Sequence, residues 1–237
     1  MSGVLLISLR DPKDPMAAHE RVCFAEACRL ELEQVAVHSM TEGMPARWRL
    51  REVDALLFGG SGAYSVLDDV VWIRNGLDLL VDVVELGVPA WASCFGFQGL
   101  ALALGGRVEH DESRMEMGST WLHLTPAGET DSLFSALPKS FWAQQGHHDH
   151  VTAMPSGVER LVTGDLCREQ AFKVRDAPFW ASQFHPELTV QRTLDRFRHY
   201  REHYLDSDGD RVLRMLESGE ESPEVSTLLE RLVRHNF

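Results

Sequence analysis

Short apolar runs alternate with longer stretches whose apolar side chains return every three or four positions, the signature of strands and amphipathic helices in turn. Val4 to Leu9 is the first β-rich run, and Pro15 to Leu30 follows with helix formers, Asp14 standing as N-cap before Pro15 at the first helical position. Gln34 to His38 and Val53 to Phe58 read as the next strands, the second ending in Gly59-Gly60-Ser61-Gly62. Asp68 to Glu85 places Val71, Ile73, Leu77, Leu80, Val81 and Val84 on helical spacing and is closed by Gly87 and Pro89. An apolar run from Val88 to Ala92 then meets Ser93-Cys94-Phe95-Gly96, after which Phe97, Leu100, Ala101 and Leu104 resume a helical pattern. This β-α alternation predicts an α/β fold, an open and mostly parallel sheet with helices on both faces.

Beyond Gly105-Gly106 the texture changes to short β-like runs: Arg107 to Glu109, Trp121 to Thr125, Phe141 to Gln144, Arg160 to Thr163, Gln170 to Val174 and Phe179 to Phe184. Turn residues break them regularly, which predicts antiparallel additions to the sheet. Thr189 to Tyr204 is the next helix, with Leu194, Phe197, Tyr200 and Tyr204 on one stripe. After a break at Asp206 to Gly209, Asp210 to Leu216 and Glu224 to Val233 read as tail helices separated by Gly219 and Pro223. The expected organisation is one domain over residues 1–205 and a helical C-terminal extension over 206–237, which packs on the domain or on a partner.

Composition narrows the partners. The 237 residues are 44% hydrophobic, enough for a sizeable core. A net charge of -13 repels phosphate backbones and anionic lipid, so neither nucleic acid nor a membrane is an expected partner. Val4 to Leu9 is too short for a signal segment and lacks a basic flank, which points to the cytoplasm. Cys23, Cys28, Cys94 and Cys167 form no CxxC pair and read as free thiols in a reducing compartment.

The strand, sharp turn and helix around Cys94 can lift a nucleophile above a sheet edge, with the first helical amide facing a developing oxyanion; a buried structural cysteine is the alternative. GGSG allows close backbone approach but lacks the GxGxxG spacing and the lysine of a phosphate loop. Gln183-Phe184-His185-Pro186-Glu187, just after an apolar run, supplies what a thiol of ordinary pKa needs: an imidazole to take its proton and a carboxylate to orient the ring. In extended backbone the side chains of His185 and Glu187 leave on one face. His147, His148 and His150 with Asp149 suggest a metal, yet consecutive residues converge poorly on one tetrahedral ion and no residue at a matching spacing completes a set. No metal and no cofactor are expected.

GGSG, SCFGFQGLA and QFHPE, in that order, resemble the three signatures of the class I (triad) glutamine amidotransferases. Arg114 to Gly118, Gln145 to His150 and Arg168 to Phe172 also resemble segments of stand-alone members related to the amidotransferase half of GMP synthase, so the likeness covers roughly residues 4–204. It implies the flavodoxin-like fold of that family, Cys94 as nucleophile, His185 as general base and Glu187 as orienting carboxylate. It implies backbone amides of Gly60 and Phe95 as oxyanion hole, and Gln98, Gly146, His148 and Asp149 as substrate contacts. Ala92 departs from the glycine usual two residues before the cysteine, and Ser61-Gly62 departs from the usual oxyanion loop. The implied activity is glutamine hydrolysis through a γ-glutamyl thioester, with ammonia passed to a synthetase on another chain. The same attack on γ-glutamyl peptides or conjugates is the second reading, and a non-catalytic binding relative the third.

Overall fold

The computed structural model of the chain describes residues 3–200, 212–213 and 216–234. Eleven strands run in chain order: β1 (Val4–Ser8), β2 (Val35–Ser39), β3 (Ala55–Phe58), β4 (Ala90–Ser93), β5 (Arg107–His110), β6 (Glu116–Leu124), β7 (Ser140–His147), β8 (Asp149–Ala153), β9 (Val158–Gly164), β10 (Ala171–Val174) and β11 (Phe179–Ser182). The helices used below are α1 (Pro15–Cys28), α2 (Val71–Leu86), α3 (Phe95–Ala103), α4 (Val190–His199) and α5 (Pro223–Arg234).

Nine strands form one sheet in the order β2-β1-β3-β4-β11-β10-β9-β6-β7. The pairs from β2 to β11 are parallel, and those from β11 to β7 antiparallel. β5 and β8 form a separate antiparallel pair. The expected mostly parallel sheet with antiparallel additions is therefore present.

Alternation along the central strands explains the two layers. Leu5, Ile7, Leu56, Phe58, Ala90 and Ala92 pack with Ile73, Leu80 and Val83 of α2 and Phe97 and Leu100 of α3. Their neighbours Val4, Leu6, Ala55, Leu57 and Trp91 point the other way, onto Phe24 and Cys28 of α1 and Leu228 and Leu232 of α5. A strand covered on both faces cannot show polar alternation, so these runs are apolar throughout. Asp14 caps α1, its carboxylate accepting from Met16 N at 2.8 Å, and α2 ends at Gly87 in the left-handed region, φ 66°.

Several boundaries differ from the sequence reading. α1 stops at Cys28, where Arg29 adopts φ 55°, and β3 begins at Ala55 rather than Val53. β6 starts at Glu116 and β7 runs to His147, while β8 was not anticipated. Their ends carry Glu116, His147, Asp149 and His150, polar side chains that are buried here and break the apolar pattern a strand is read from. The expected helix end at residues 201–204, the break at 206–209, the start of the first tail helix and the boundary at 205 lie outside the described residues. The last tail helix packs on the domain itself, through Val225, Leu228, Leu229 and Leu232.

That docking has a measurable weight. Leu228 is fully buried, so Leu228→Ala should lower the unfolding free energy by about 2 to 5 kcal/mol in denaturant titration. A loss below about 0.5 kcal/mol, the level of a surface change, would mean that α5 contributes nothing to the domain.

Candidate active site

β3, β4 and β11 are parallel neighbours, so the loops leaving their carboxyl ends must meet. β3 delivers Gly59 to Gly62, β4 delivers Cys94, and β11 delivers Gln183 to Glu187. Cys94 sits at φ 51°, ψ -101°, a backbone conformation costing about 1 to 3 kcal/mol that the flanking strand and helix hold in place. A Cβ on Gly96 would stand 3.0 Å from the Cβ atoms of Ala92 and Phe58. Glycine at 96 is thus what admits the Ala92 methyl, and the elbow keeps its shape despite that departure.

His185 Nδ1 lies 2.7 Å from Glu187 Oε1. Because a carboxylate only accepts, Nδ1 carries the proton and Nε2 presents the lone pair. Glu187 Oε2 accepts from Ser93 Oγ at 3.1 Å, and Ser93 in turn accepts from Trp91 Nε1 at 3.1 Å. Burial alone would raise the Glu187 carboxyl pKa, but His185 and the Arg196 guanidinium outweigh it and hold the group at about 2. Arg196 Nη1 donates to Glu187 Oε1 at 3.4 Å. Burial, reinforced by the nearby Glu187 charge, pushes the Cys94 thiol up to about 12, which favours the protonated form. Gln183 Nε2 lies 3.6 Å from its sulfur.

Cys94 is the meeting point of two cavities. The larger, of about 240 Å³, is lined by Ser61 to Ser65, Phe95, Gln98, His110 and Gly146 to Asp149. The smaller, of about 40 Å³, lies between Cys94, His185, Arg10, Phe197 and Tyr200. Cys94, His185 and Glu187 are thus brought together, and so are Gln98, Gly146, His148 and Asp149. Several expected contacts have protein partners already. Gln98 Nε2 donates to Asp149 O at 2.7 Å and to Gln183 Oε1 at 3.2 Å. Asp149 binds His110 Nδ1 at 2.7 Å and Ser65 Oγ at 2.5 Å. Burial lowers the pKa of His148, whereas the Asp149 bond raises that of His110.

The loop expected to supply an oxyanion amide has its Gly60 N–H engaged elsewhere. Gly60 N–H donates to Glu20 Oε1 at 3.1 Å instead of standing open to the cavity. The Phe95 amide, first in α3, has no intrahelical acceptor. Glu20 also accepts from Arg10 Nε at 3.1 Å and faces Arg196 Nη2 at 3.8 Å. Sequence reasoning missed Arg10, Glu20, Ser93, Gln183 and Arg196. One signal was available: Glu20 falls on the same helical stripe as Cys23, Phe24 and Ala27, and Arg196 on that of Thr193 and Tyr200, both charges at positions where helices bury apolar groups.

The profile of the family described as glutamine amidotransferase class-I matches residues 25–197. One chain of the glutamine-hydrolyzing GMP synthase of Sulfolobus acidocaldarius is 30% identical over 152 residues, which are 64% of this chain and 77% of that one. The glutamine-hydrolyzing GMP synthase of Lactobacillus delbrueckii is 34% identical over 134 residues, 56% of this chain but only 24% of that longer protein. Among solved structures, a glutamine amidotransferase from Thermotoga maritima superposes with a TM-score of 0.73 at 18% identity, covering 99% of this chain and 100% of that one, a likeness of fold. No helix among the described residues is long and apolar enough to cross a membrane.

Glu187 is the group whose ionisation links this site to stability. Its folded pKa is depressed from 4.5 to about 2, so its contribution is fully present above pH 4.5 and is lost as pH falls through 2. The stability gap between wild type and Glu187→Gln, from denaturant melts at several pH values, should be widest above 4.5 and narrow towards 2. A gap independent of pH would show that Glu187 is not held as a buried carboxylate.

Proposed function

The chain belongs to the class-I glutamine amidotransferase family, and from that premise we propose that it hydrolyses the γ-amide of glutamine through Cys94, His185 and Glu187. His185 Nε2 takes the Cys94 proton as the sulfur attacks the γ-carbonyl, so the thiol gives up its proton only as the bond forms. Glu187, already a carboxylate, stabilises the imidazolium and fixes the tautomer. The carbonyl oxygen becomes negative and is met by the Phe95 amide and by Gly60 N–H once that amide leaves Glu20. The C–N bond breaks, ammonia departs with the proton from His185, and the γ-glutamyl group stays on the sulfur as a thioester. Water, deprotonated by the same imidazole, then releases glutamate and restores the thiol.

What supports this reading over γ-glutamyl peptide cleavage is the likeness to enzymes described as glutamine-hydrolyzing. With the glutamyl part in the larger cavity beside Gln98 and Gly146 to Asp149, the leaving amine faces the smaller cavity under Phe197 and Tyr200. The two relatives compared above are a glutamine-hydrolyzing GMP synthase and one chain of such an enzyme, which supports a synthetase on another chain as acceptor of the ammonia.

Ammonia and glutamate should be assayed separately from glutamine and from a panel of γ-glutamyl dipeptides. Glutamine should yield both products in equal amounts and be turned over at least about 10-fold faster than any dipeptide, a difference of about 1.4 kcal/mol in the barrier. Cys94→Ala should abolish both products without shifting the thermal unfolding midpoint. Faster glutamate release from dipeptides, without ammonia, would replace this reading with the peptidase.

A further inference from the structure

We propose that Glu116, His147 and Cys167 bind a divalent transition-metal ion of the zinc type, behind the segment that lines the larger cavity. The three come from the start of β6, the end of β7 and the turn after β9, and each is buried, with relative exposures of 4%, 4% and 1%. Their ligand atoms all lie within 4.8 Å of one another. Sequence spacing gave no hint of this, because the fold alone brings the three strands side by side.

The hydrogen bonds around the cluster argue for a cation. His147 Nδ1 lies 2.9 Å from Asp149 O. A carbonyl only accepts, so Nδ1 donates there, which leaves Nε2 turned towards Glu116 Oε2, 3.0 Å away, where an unprotonated ring would present its lone pair. Two acceptors at that distance repel unless a cation stands between them. A proton would serve, giving a buried imidazolium-carboxylate pair. It would leave Glu116 Oε1, which has no hydrogen-bond partner among the described residues, still unsatisfied in a buried carboxylate. Cys167, whose thiol donates to Arg114 O at 3.3 Å and also faces the Glu116 carboxylate, would stay outside that shared proton. An ion engages all three side chains.

The outer contacts match what metal ligands require. A ligating histidine donates its other N–H to a carbonyl or carboxylate, as His147 does to Asp149, and a ligating carboxylate is itself held by a donor. Gln170 Nε2 supplies that donor, 2.7 Å from Glu116 Oε2, and also bonds Cys167 O at 3.0 Å. A set of one imidazole, one carboxylate and one thiolate suits zinc and excludes the oxygen-seeking magnesium and calcium. Tetrahedral bonds of about 2.0 to 2.3 Å set ligand atoms about 3.3 to 3.7 Å apart, so His147 and Glu116 need part by only a few tenths of an ångström. Cys167 releases its proton to solvent on binding. The ion would then tie β6, β7 and the turn at Cys167 together and fix the backbone of Gly146 to Asp149. The proposal is independent of the reading of Cys94.

The test is a cobalt(II) titration of the full chain in a Cys94→Ala background, so that the nucleophilic thiol cannot contribute. One ion per chain should bind with a Kd of about 1 μM or tighter, with intense four-coordinate d–d absorption and a near-ultraviolet thiolate-to-cobalt band. Zinc should displace it and raise the unfolding midpoint, and Cys167→Ser should lose the thiolate band. Absence of the band, or a band that survives Cys167→Ser, would overturn the site. If Cys167→Ser does not fold, the Cys94→Ala protein alone decides, since no thiolate band together with no zinc-induced rise in midpoint leaves the buried proton pair as the cation.

Discussion

A carboxylate buried close to Cys94 and kept ionised is the constraint on which the rest of this structure turns. Removing such a charge from water costs several kcal/mol unless it is paired and hydrogen-bonded. Glu187 is paired with His185 and Arg196 and bonded by Ser93. Arg196 is itself buried and faces Glu20; Glu20 is fully buried and is held by Arg10; Arg10 donates to Tyr200 Oη at 2.6 Å, and Tyr200 to Asp14. Each charge thus demands the next, and the sequence of compensations ends at the surface on the N-cap of α1. α1 and α4 are therefore part of the site's electrostatics as well as its cover.

The same burial sets the state of the thiol. With Cys94 pushed up to about 12 and Glu187 held at about 2, the thiol keeps its proton and the carboxylate its charge across the neutral range. A protonated resting thiol is a weak nucleophile, so reactivity depends on a carbonyl arriving where the sulfur can give up its proton in the same step. Cys23, Cys28 and Cys167 are raised to about the same value, also chiefly by burial. What separates Cys94 from them is the company of His185 at parallel strand ends.

Much of this was legible in the sequence, for reasons that can be stated. Strands buried on both faces declare themselves as unbroken apolar runs, and the three loops that carry chemistry each follow such a run, so GGSG, Cys94 and QFHPE could be placed at one sheet edge. β8 and the ends of β6 and β7 were hidden because Glu116, His147, Asp149 and His150 are buried and polar, and only the fold brings His147 to Glu116 and to the Asp149 carbonyl. Ser93, Glu20 and Arg196 escaped because their partners are distant in sequence, and only the fold brings them within bonding distance. Ala92 is a departure from the usual elbow that its small size makes tolerable, and Gly96 opposite it supplies the room, a compensation between two small residues that no single motif encodes.

The Gly60 amide links the charge network to the chemistry. Glu20 Oε1 accepts from both Gly60 N–H and Arg10 Nε, so it loses one donor if the amide turns towards Cys94. A replacement is at hand: Arg196 Nη2 stands 3.8 Å from that same oxygen and has no hydrogen-bond partner among the described residues, and Glu20 Oε2 is equally unfilled. A small movement of the carboxylate towards Arg196 would satisfy both and free the amide, replacing a neutral donor with a charged one, which makes the stronger hydrogen bond. The loop's own freedom is more limited, since a Cβ on Gly62 would meet the Tyr200 ring at 2.4 Å and one on Gly59 the Glu20 carboxylate at 2.5 Å. The peptide at Gly60 is thus pressed between two groups of the network, and the position of Glu20 decides which way its N–H can point.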